Sequence, residues 1–159
     1  GNVIGAGDSS QDRLLPDIVR ACQSGADVKI RYPGATRPWQ HVLDCLNGYL
    51  IAVEKSFNNR QIFNTWNFSP PLKNQIRVID FVKNMSKNFN FSSKKIIFKK
   101  SNLYEAKYLN LSSIKANREL EWKTILSQKN VMLYISDWYK AYFDKKNMKT
   151  LKIKQKKNF

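Results

Sequence analysis

Apolar and polar residues alternate along this chain with two different periods, and these periods divide it into helices and short strands. Apolar residues that recur every three or four positions indicate one buried face of a helix, whereas short alternating or β-branched runs indicate strands. The helical spacing predicts helices at 12–24, 41–56, 75–89, 113–118 and 130–146. The strand patterns lie at 28–31, 65–68 and 96–98. The mixture predicts an α/β fold that is rich in helix and has only a few short strands.

The segment 34–44 carries the densest set of chemically useful side chains. A turn at Gly34 leads to Arg37, Pro38, Trp39 and His41, and His41 is the only histidine of the chain. Pro38 fixes its own φ and favours extended geometry at the residue before it. A guanidinium held in this way can bind phosphate oxygens through paired donors. A surface arginine beside a core tryptophan is the alternative interpretation of the same pattern.

Positive charge is unevenly distributed along the 159 residues. The whole chain has a net charge of +16, of which residues 1–80 contribute +2 and residues 81–159 contribute +14. Six of the seven arginines lie in the first part, and lysine makes up nearly all of the excess in the second. Lysine is strongly hydrated and suits solvated faces, so this distribution disfavours nucleic acid as a partner. A non-catalytic basic module that binds nucleic acid or another anion stays open as an alternative.

The thiol and imidazole groups give no sign of a metal site. Cys22 and Cys45 have no metal-like spacing, and one histidine cannot complete a zinc set. Cys22 lies on the apolar stripe of the first predicted helix, so we expect a buried free thiol, which suits the reducing cytoplasm. No apolar run reaches the length of a membrane span and no signal peptide is visible.

Three early segments, 2–8, 12–17 and 36–44, resemble the C-terminal half of the CDP-glucose 4,6-dehydratase family. These are nucleotide-sugar enzymes among the extended short-chain dehydrogenase/reductases, also called the NAD-dependent epimerase/dehydratase family. Further matches cover nearly the whole chain in the same order, at 48–50, 54–55, 66–68 with Pro70, 105–106, 108–109, 115–116, Leu120, Trp122 and 138–139. Another nucleotide-sugar epimerase or dehydratase is the alternative within this superfamily.

The resemblance implies the C-terminal, substrate-binding part of a Rossmann-type fold, with residues 1–144 forming that region and late elements of the sheet. Residues 145–159 are a Lys-rich tail that we expect to be flexible. The whole enzyme would convert CDP-glucose to CDP-4-keto-6-deoxyglucose and water with NAD as cofactor, as a homo-oligomer. The family's Gly-rich NAD loop and its Tyr-x-x-x-Lys pair lie upstream of the matched region, so we expect this chain alone to be inactive.

Substrate-binding roles carry over from the family to six positions, and no catalytic residue does. Asn2 would contact the pyrophosphate, Arg37 the diphosphate, and Arg13 an anion at the start of its helix. Asn67 would place its amide on ribose or phosphate, and Glu105 and Tyr108 would lie near the cytidine. The backbone at Val3 would lie near the nicotinamide ring of NAD. For His41, a structural hydrogen bond at the helix start is favoured over a role as general acid.

Two local features qualify this comparison. The segment 5–10 superficially matches a dinucleotide fingerprint, but Ser10 stands at the third glycine, so we interpret it as a flexible loop on the substrate side. Glu121 replaces the glycine of a Leu-Gly-Trp turn in the family.

Because a parallel sheet is normally covered by helices on both faces, we also expect the helices at 41–56 and 75–89 to leave apolar surface exposed.

Overall fold

Helices and short strands follow one another along the residues that the computed structural model describes, which are 2–58, 64–89, 96–98 and 105–159. The helices are α1 (Leu14–Ser24), α2 (Val42–Asn58), α3 (Val78–Asn88), α4 (Ile114–Leu120), α5 (Gln128–Phe143) and α6 (Met148–Lys157). The strands are β1 (Asn2–Ile4), β2 (Val28–Ile30), β3 (Thr36–Arg37), β4 (Trp39–His41), β5 (Ile76–Arg77) and β6 (Ile96–Phe98). The predicted helix-rich fold with a few short strands is confirmed. No helix within these ranges has the length and apolar character that a membrane crossing requires.

The strands pair two by two, each with a partner distant in sequence. β1 runs parallel to β4 with Asn2 opposite Trp39, and β2 runs parallel to β6 with Val28 opposite Ile96. β3 and β5 are antiparallel. Since parallel strands need a long crossover between them, the helices occupy the intervening chain.

The main core lies between α1, α3 and α5. Ile18, Phe81, Met85 and Ile135 are fully buried there. The ring of Trp39, at the start of β4, stacks on Phe81 with 4.3 Å between centroids. Burying an aromatic or aliphatic side chain of this size contributes about 1.5–3 kcal/mol. The stack therefore fixes β4, and with it the arginine segment, to the core.

A second, smaller core joins α2 to α4 through Phe68, Ala116, Leu120 and Trp122. A Cβ at Gly48 on α2 would lie 2.6 Å from the Phe68 ring, so glycine permits this close approach. The Trp122 indole donates to the Asp44 carbonyl at 3.0 Å, which ties the chain after α4 to the start of α2.

The strand predicted at 65–68 is wrong. This segment has no regular secondary structure and joins no ladder in the described part of the chain. Side chains satisfy its end instead: Gln40 donates to the Phe68 carbonyl at 2.7 Å, and the Ser113 hydroxyl bonds both to the Ser69 amide and to the Ser69 carbonyl. Side-chain hydrogen bonds have taken the place of a strand partner.

The Lys-rich segment after residue 144 differs from the expectation of a flexible tail, because most of it forms α6. The Asn147 side chain accepts hydrogen bonds from the amides of Lys149 and Thr150, which caps the helix. Gln155 donates to the Tyr134 carbonyl at 2.8 Å and docks α6 on α5. The division of the chain at residues 144 and 145 stays a prediction.

The two helices expected to leave apolar surface exposed behave differently. One face of α2 is apolar and 46 to 83% exposed, and it consists of Leu46, Tyr49, Leu50, Val53 and Phe57. The expectation for α3 is wrong, since Phe81, Val82 and Met85 have no exposed surface. α1 and α5 pack against α3 and cover its apolar face.

Candidate functional site

A cleft of about 940 Å³ lies between β1, α1 and β2, and Arg37 and Glu105 form part of its wall. Five of the residues predicted for ligand binding line it: Asn2, Val3, Arg13, Arg37 and Glu105. The fold therefore collects residues that lie as far apart in sequence as Asn2 and Glu105 around one space.

Arg37 is held between two strand pairs. It faces Ile76 in the β3–β5 pair, and β4, which starts two residues later, pairs with β1. Its side chain is only 7% exposed, with Nη1 donating to the Thr36 carbonyl at 2.9 Å and Nη2 donating to the Glu105 carboxylate. A buried cation keeps its charge only with such partners, so this arginine is built into the wall of the cleft.

Glu105 reaches Arg37 because its segment runs beside β3. The Thr36 amide donates to the Lys107 carbonyl at 2.9 Å, and the Leu109 amide donates to the Thr36 carbonyl at 3.3 Å. These bonds form an isolated parallel bridge between Thr36 and Tyr108. Glu105 is thereby brought to the arginine, with a side chain that is still 43% exposed to the cleft and solvent.

The polar face of α1 forms a second wall that sequence reasoning missed, apart from Arg13. Arg13, Asp17, Arg20 and Ser24 recur at helical spacing and all line the cleft. The signal was present in the sequence, since this polar stripe lies opposite the apolar stripe that predicted the helix. Arg13 is 66% exposed, and its Nη1 lies 3.5 Å from Oδ2 of Asp8.

The loop from Gly5 to Ser10 connects β1 to this wall. The Asp8 carboxylate accepts a hydrogen bond from the Ser10 amide at 3.0 Å. Hydrogen bonding to Ser10, with the nearby Arg13 charge, lowers the pKa of Asp8. Arg20 donates to the carbonyls of Ser9 and Ser10, each at 3.1 Å. The loop interpreted from sequence as flexible is thus hydrogen-bonded at several points.

Charges in the cleft are balanced. Among its described lining residues, five carry a positive charge and five a carboxylate. A general positive potential is therefore not what this cleft offers an anion. Recognition would rest on individual arginines with fixed geometry, of which Arg37 is the most buried.

Three residues considered from sequence lie outside the cleft lining. Asn67 is an exposed residue in the segment that leads to the second core. Tyr108 is 62% exposed, with the Lys107 amine 5.7 Å from the centre of its ring. His41 is buried: its Nδ1 accepts from the Leu43 amide at 3.2 Å, and burial lowers its pKa to about 4. These contacts support the structural role for His41 at the start of α2.

Cysteine and metal chemistry add nothing to the cleft. Cys22 and Cys45 are free thiols, of which Cys45 is buried while Cys22, expected to be buried, is only partly so. Burial raises the pKa of Cys22 to about 11. Over the residues that the structure describes, no cluster of three or more His, Cys, Asp or Glu side chains is placed to hold a metal ion.

Comparison with curated proteins gives one informative relative. CDP-glucose 4,6-dehydratase from Salmonella typhimurium strain LT2 is 34% identical over 149 residues, which make up 93% of this chain. The chain is homologous to the C-terminal part of CDP-glucose 4,6-dehydratase. It spans 42% of the length of that enzyme. No protein-family model matches the chain.

Solved structures of nucleotide-sugar enzymes share the fold of this chain. The dTDP-glucose 4,6-dehydratase of Bacillus anthracis, solved with NAD, superposes with a TM-score of 0.72 at 16% identity, over 94% of this chain and 45% of that one. The UDP-glucuronic acid 4-epimerase of Bacillus cereus, solved with UDP-glucuronic acid and NAD, gives 0.75 at 20% identity, over 89% and 43%. The predicted Rossmann-type fold, present here in part, is confirmed.

The residue that ends α4 has an unusual backbone conformation. Glu121 stands there with a φ of 59°. Left-handed backbone of this kind favours glycine because a side chain there is crowded. This left-handed conformation agrees with the resemblance described above, which implies a glycine at the position of Glu121.

Proposed function

We propose that this chain supplies the nucleotide-sugar-binding part of an NAD-dependent nucleotide-sugar 4,6-dehydratase acting on CDP-glucose. The observation that carries the proposal is Arg37, a buried guanidinium in the wall of a cleft of about 940 Å³. A cleft of this volume suits a ligand the size of a nucleotide sugar. The homology to CDP-glucose 4,6-dehydratase supplies the class of ligand.

The three cleft residues Asn2, Arg13 and Arg37 suit a diphosphate. Arg37 would hold one phosphate through charge-assisted bonds, while Arg13, whose side chain is exposed, would reach the other. Asn2 lies in β1 next to the β4 strand that follows Arg37, so its amide would approach the same group. Together they would fix the sugar relative to the reacting groups, and such positioning lowers the barrier of the reaction. Glu105, Asn67 and Tyr108 stay proposed contacts on the nucleoside side.

The residues that the structure describes do not by themselves make a site for the cofactor pyrophosphate. Arg20 holds the carbonyls of Ser9 and Ser10, and the Asp8 carboxylate projects from the same loop, so a second anion would meet negative charge there. Only the backbone at Val3 would border the nicotinamide. When NAD is bound, it supplies a reversible hydride acceptor. The chain's own contribution is to hold and orient the nucleotide sugar.

We place the whole enzyme in the cytoplasm as a homo-oligomer. Free thiols at Cys22 and Cys45 suit a reducing compartment. The exposed apolar face of α2 supports the homo-oligomer, because large exposed apolar patches are typical of surfaces that contact further protein.

Calorimetric titration of the chain with CDP-glucose tests the ligand. We expect saturable 1:1 binding, tighter than binding of glucose 1-phosphate, because the nucleoside contacts are lost in the smaller ligand. UDP-glucose and dTDP-glucose in parallel titrations test the base preference. Equal heats for all sugar phosphates, or none for CDP-glucose, would refute the proposal.

An oligonucleotide titration separates the basic-module alternative. Binding of a polyanion through lysines weakens steeply as salt rises, through counterion release. We expect weak, salt-sensitive oligonucleotide binding and CDP-glucose binding with a much shallower salt dependence. An activity assay with NAD completes the test, because the chain alone should form no 4-keto-6-deoxy product. Measurable product would show that the family's Gly-rich NAD loop and Tyr-x-x-x-Lys pair are not required.

A further inference from the structure

Tyr139, on α5, forms hydrogen bonds with the loop from Gly5 to Ser10, which connects β1 to the wall of the cleft. Its hydroxyl accepts a hydrogen bond from the Gly7 amide at 3.1 Å and donates one to the Asp8 carbonyl, also at 3.1 Å. The two groups belong to neighbouring residues of one turn, in which Gly7 has a φ of 86°. One hydroxyl therefore ties two consecutive residues of the loop to a helix more than 130 residues away.

The ring of Tyr139 is itself fixed. The residue is 4% exposed, and Trp138, Phe89 and Phe143 surround it with ring centroids 5.1, 6.3 and 6.0 Å away. Burial raises the pKa of the Tyr139 hydroxyl, so the group stays protonated and can donate. A buried tyrosine hydroxyl with both of its bonds to one turn is a rigid support for that turn.

The turn that Tyr139 supports carries Asp8 into the cleft. Asp8 lies beside Arg13 there, and both line the space, whereas Tyr139 does not. Because Arg13 is 66% exposed, little other than Asp8 restrains its side chain among its described contacts. The contacts thus run from Tyr139 through Asp8 to Arg13.

We propose that Tyr139 is a positioning residue for nucleotide-sugar binding, acting through the Gly7–Asp8 turn to place Arg13. This inference rests on the proposed function and deepens it, since nothing in the sequence pattern of the cleft pointed to a residue on α5. Loss of the hydroxyl frees the Gly7 amide and the Asp8 carbonyl and lets Arg13 move away from the ligand. A net contribution of about 0.5–1.5 kcal/mol per hydrogen bond corresponds to roughly 2- to 10-fold weaker binding.

The test compares Tyr139→Phe with Tyr142→Phe, since Tyr142 lies on the same helix and is 56% exposed. Titration with CDP-glucose should show the 2- to 10-fold loss for Tyr139→Phe alone. In an Arg13→Ala background the same substitution should cost nothing further, because the residue through which it acts is gone. A purely structural role for Tyr139 predicts the same loss with or without Arg13, and that result would overturn the proposal.

Amide hydrogen exchange gives a readout that needs no ligand. The Gly7 amide should exchange about 10-fold faster in Tyr139→Phe than in the unchanged chain or in Tyr142→Phe, because its acceptor is lost. Failure of the unchanged chain to bind CDP-glucose would count against the proposed function, while Gly7 exchange still decides whether Tyr139 holds the loop. Equal exchange in all three proteins would overturn the proposal.

Discussion

Arg37 and Glu105, separated by 68 positions in sequence, form an ion pair at the wall of the cleft in which the arginine is buried and the glutamate half-exposed. The arginine is fixed by strand pairing, and the glutamate reaches it through the bridge between Thr36 and Tyr108. Glu105 therefore orients one of the two Arg37 amino groups, while the Thr36 carbonyl orients the other. We expect the two residues to be coupled in ligand binding, because each restrains the other.

Arg37→Ala should weaken CDP-glucose binding by about 1.5–3 kcal/mol, the range for a charge-assisted hydrogen bond. Lys154→Ala, an exposed change on α6, should have almost no effect. Glu105→Gln should cost less than Arg37→Ala, and the double variant should bind no worse than Arg37→Ala alone. Calorimetry on the unchanged chain, Arg37→Ala, Glu105→Gln and the double variant measures the double-mutant cycle. Additive losses would show that the two residues act independently.

Glu121→Gly should stabilise the chain although it removes the ion pair with Lys55. Glu121 holds a φ of 59°, and glycine removes a strain of about 1 kcal/mol there. The pair is exposed at Glu121 and contributes little. Urea unfolding should show a gain of roughly 0.5–1 kcal/mol. Glu119→Gly is the control and should be destabilising, because Glu119 is helical and accepts from the Trp66 indole at 2.8 Å.

The apolar face of α2 should make the isolated chain self-associate and bind hydrophobic dyes. Leu50→Lys with Val53→Lys places two charges on this face, where the side chains are 70% and 53% exposed. Sedimentation velocity should then show a smaller weight-average mass, with dye fluorescence reduced in parallel. Ile153→Lys, an exposed change on α6, should leave both unchanged. Association that persists in the α2 variant would point to another surface.

Stability should fall as the pH drops from about 6.5 towards 4, because of His41. Its folded pKa of about 4 lies below its ordinary value of 6.5, so the unfolded chain binds more protons in this window. Between pH 7.5 and pH 5.0 this costs about 2 kcal/mol of unfolding free energy. Burial raises the pKa of Asp44, which acts in the opposite direction.

A variant isolates the histidine term of this pH dependence. In His41→Asn the Asp44 contribution is retained, so the difference between the two pH profiles belongs to His41. Urea unfolding of both proteins at pH 7.5 and 5.0 should show a loss in the unchanged chain that is about 2 kcal/mol larger. Parallel profiles would mean that His41 titrates normally.

Much of the fold follows from local pattern. The apolar spacing predicted α1, α2, α3, α4 and α5 because each has one face in a core, and the observed starts at Leu14 and Val78 are later than predicted since Arg13 and Arg77 are extended. The strand at 65–68 could not be judged locally, because strand propensity says nothing about whether a partner edge lies nearby. Helix α6 was missed although Asn147 is a good N-cap residue, since its docking depends on Gln155 and the Tyr134 carbonyl.

The candidate site likewise contains residues that the sequence predicts and others that it does not. Arg37 was predicted because the neighbouring Pro38 and Trp39 indicate a restricted backbone. The cleft contains it together with Asn2, Val3, Arg13 and Glu105. The hydroxyl of Tyr139 could not be predicted, because its partners at Gly7 and Asp8 are backbone groups with no side-chain signature.

The pairing of each described strand with a partner far away in sequence has a consequence for how the chain reaches its native state. None of the ladders among the described residues is a hairpin. Helices α2 and α3 lie between β2 and β6 in the sequence, so these two strands can pair only after a long loop has closed. Closing such long loops costs entropy before any contact compensates for it, so folding is slow where non-local contacts dominate. Before the ladders form, the strand edges and the apolar face of α2 are both exposed to other molecules. A ribosome-bound or diluted chain would therefore aggregate less during folding than a concentrated one.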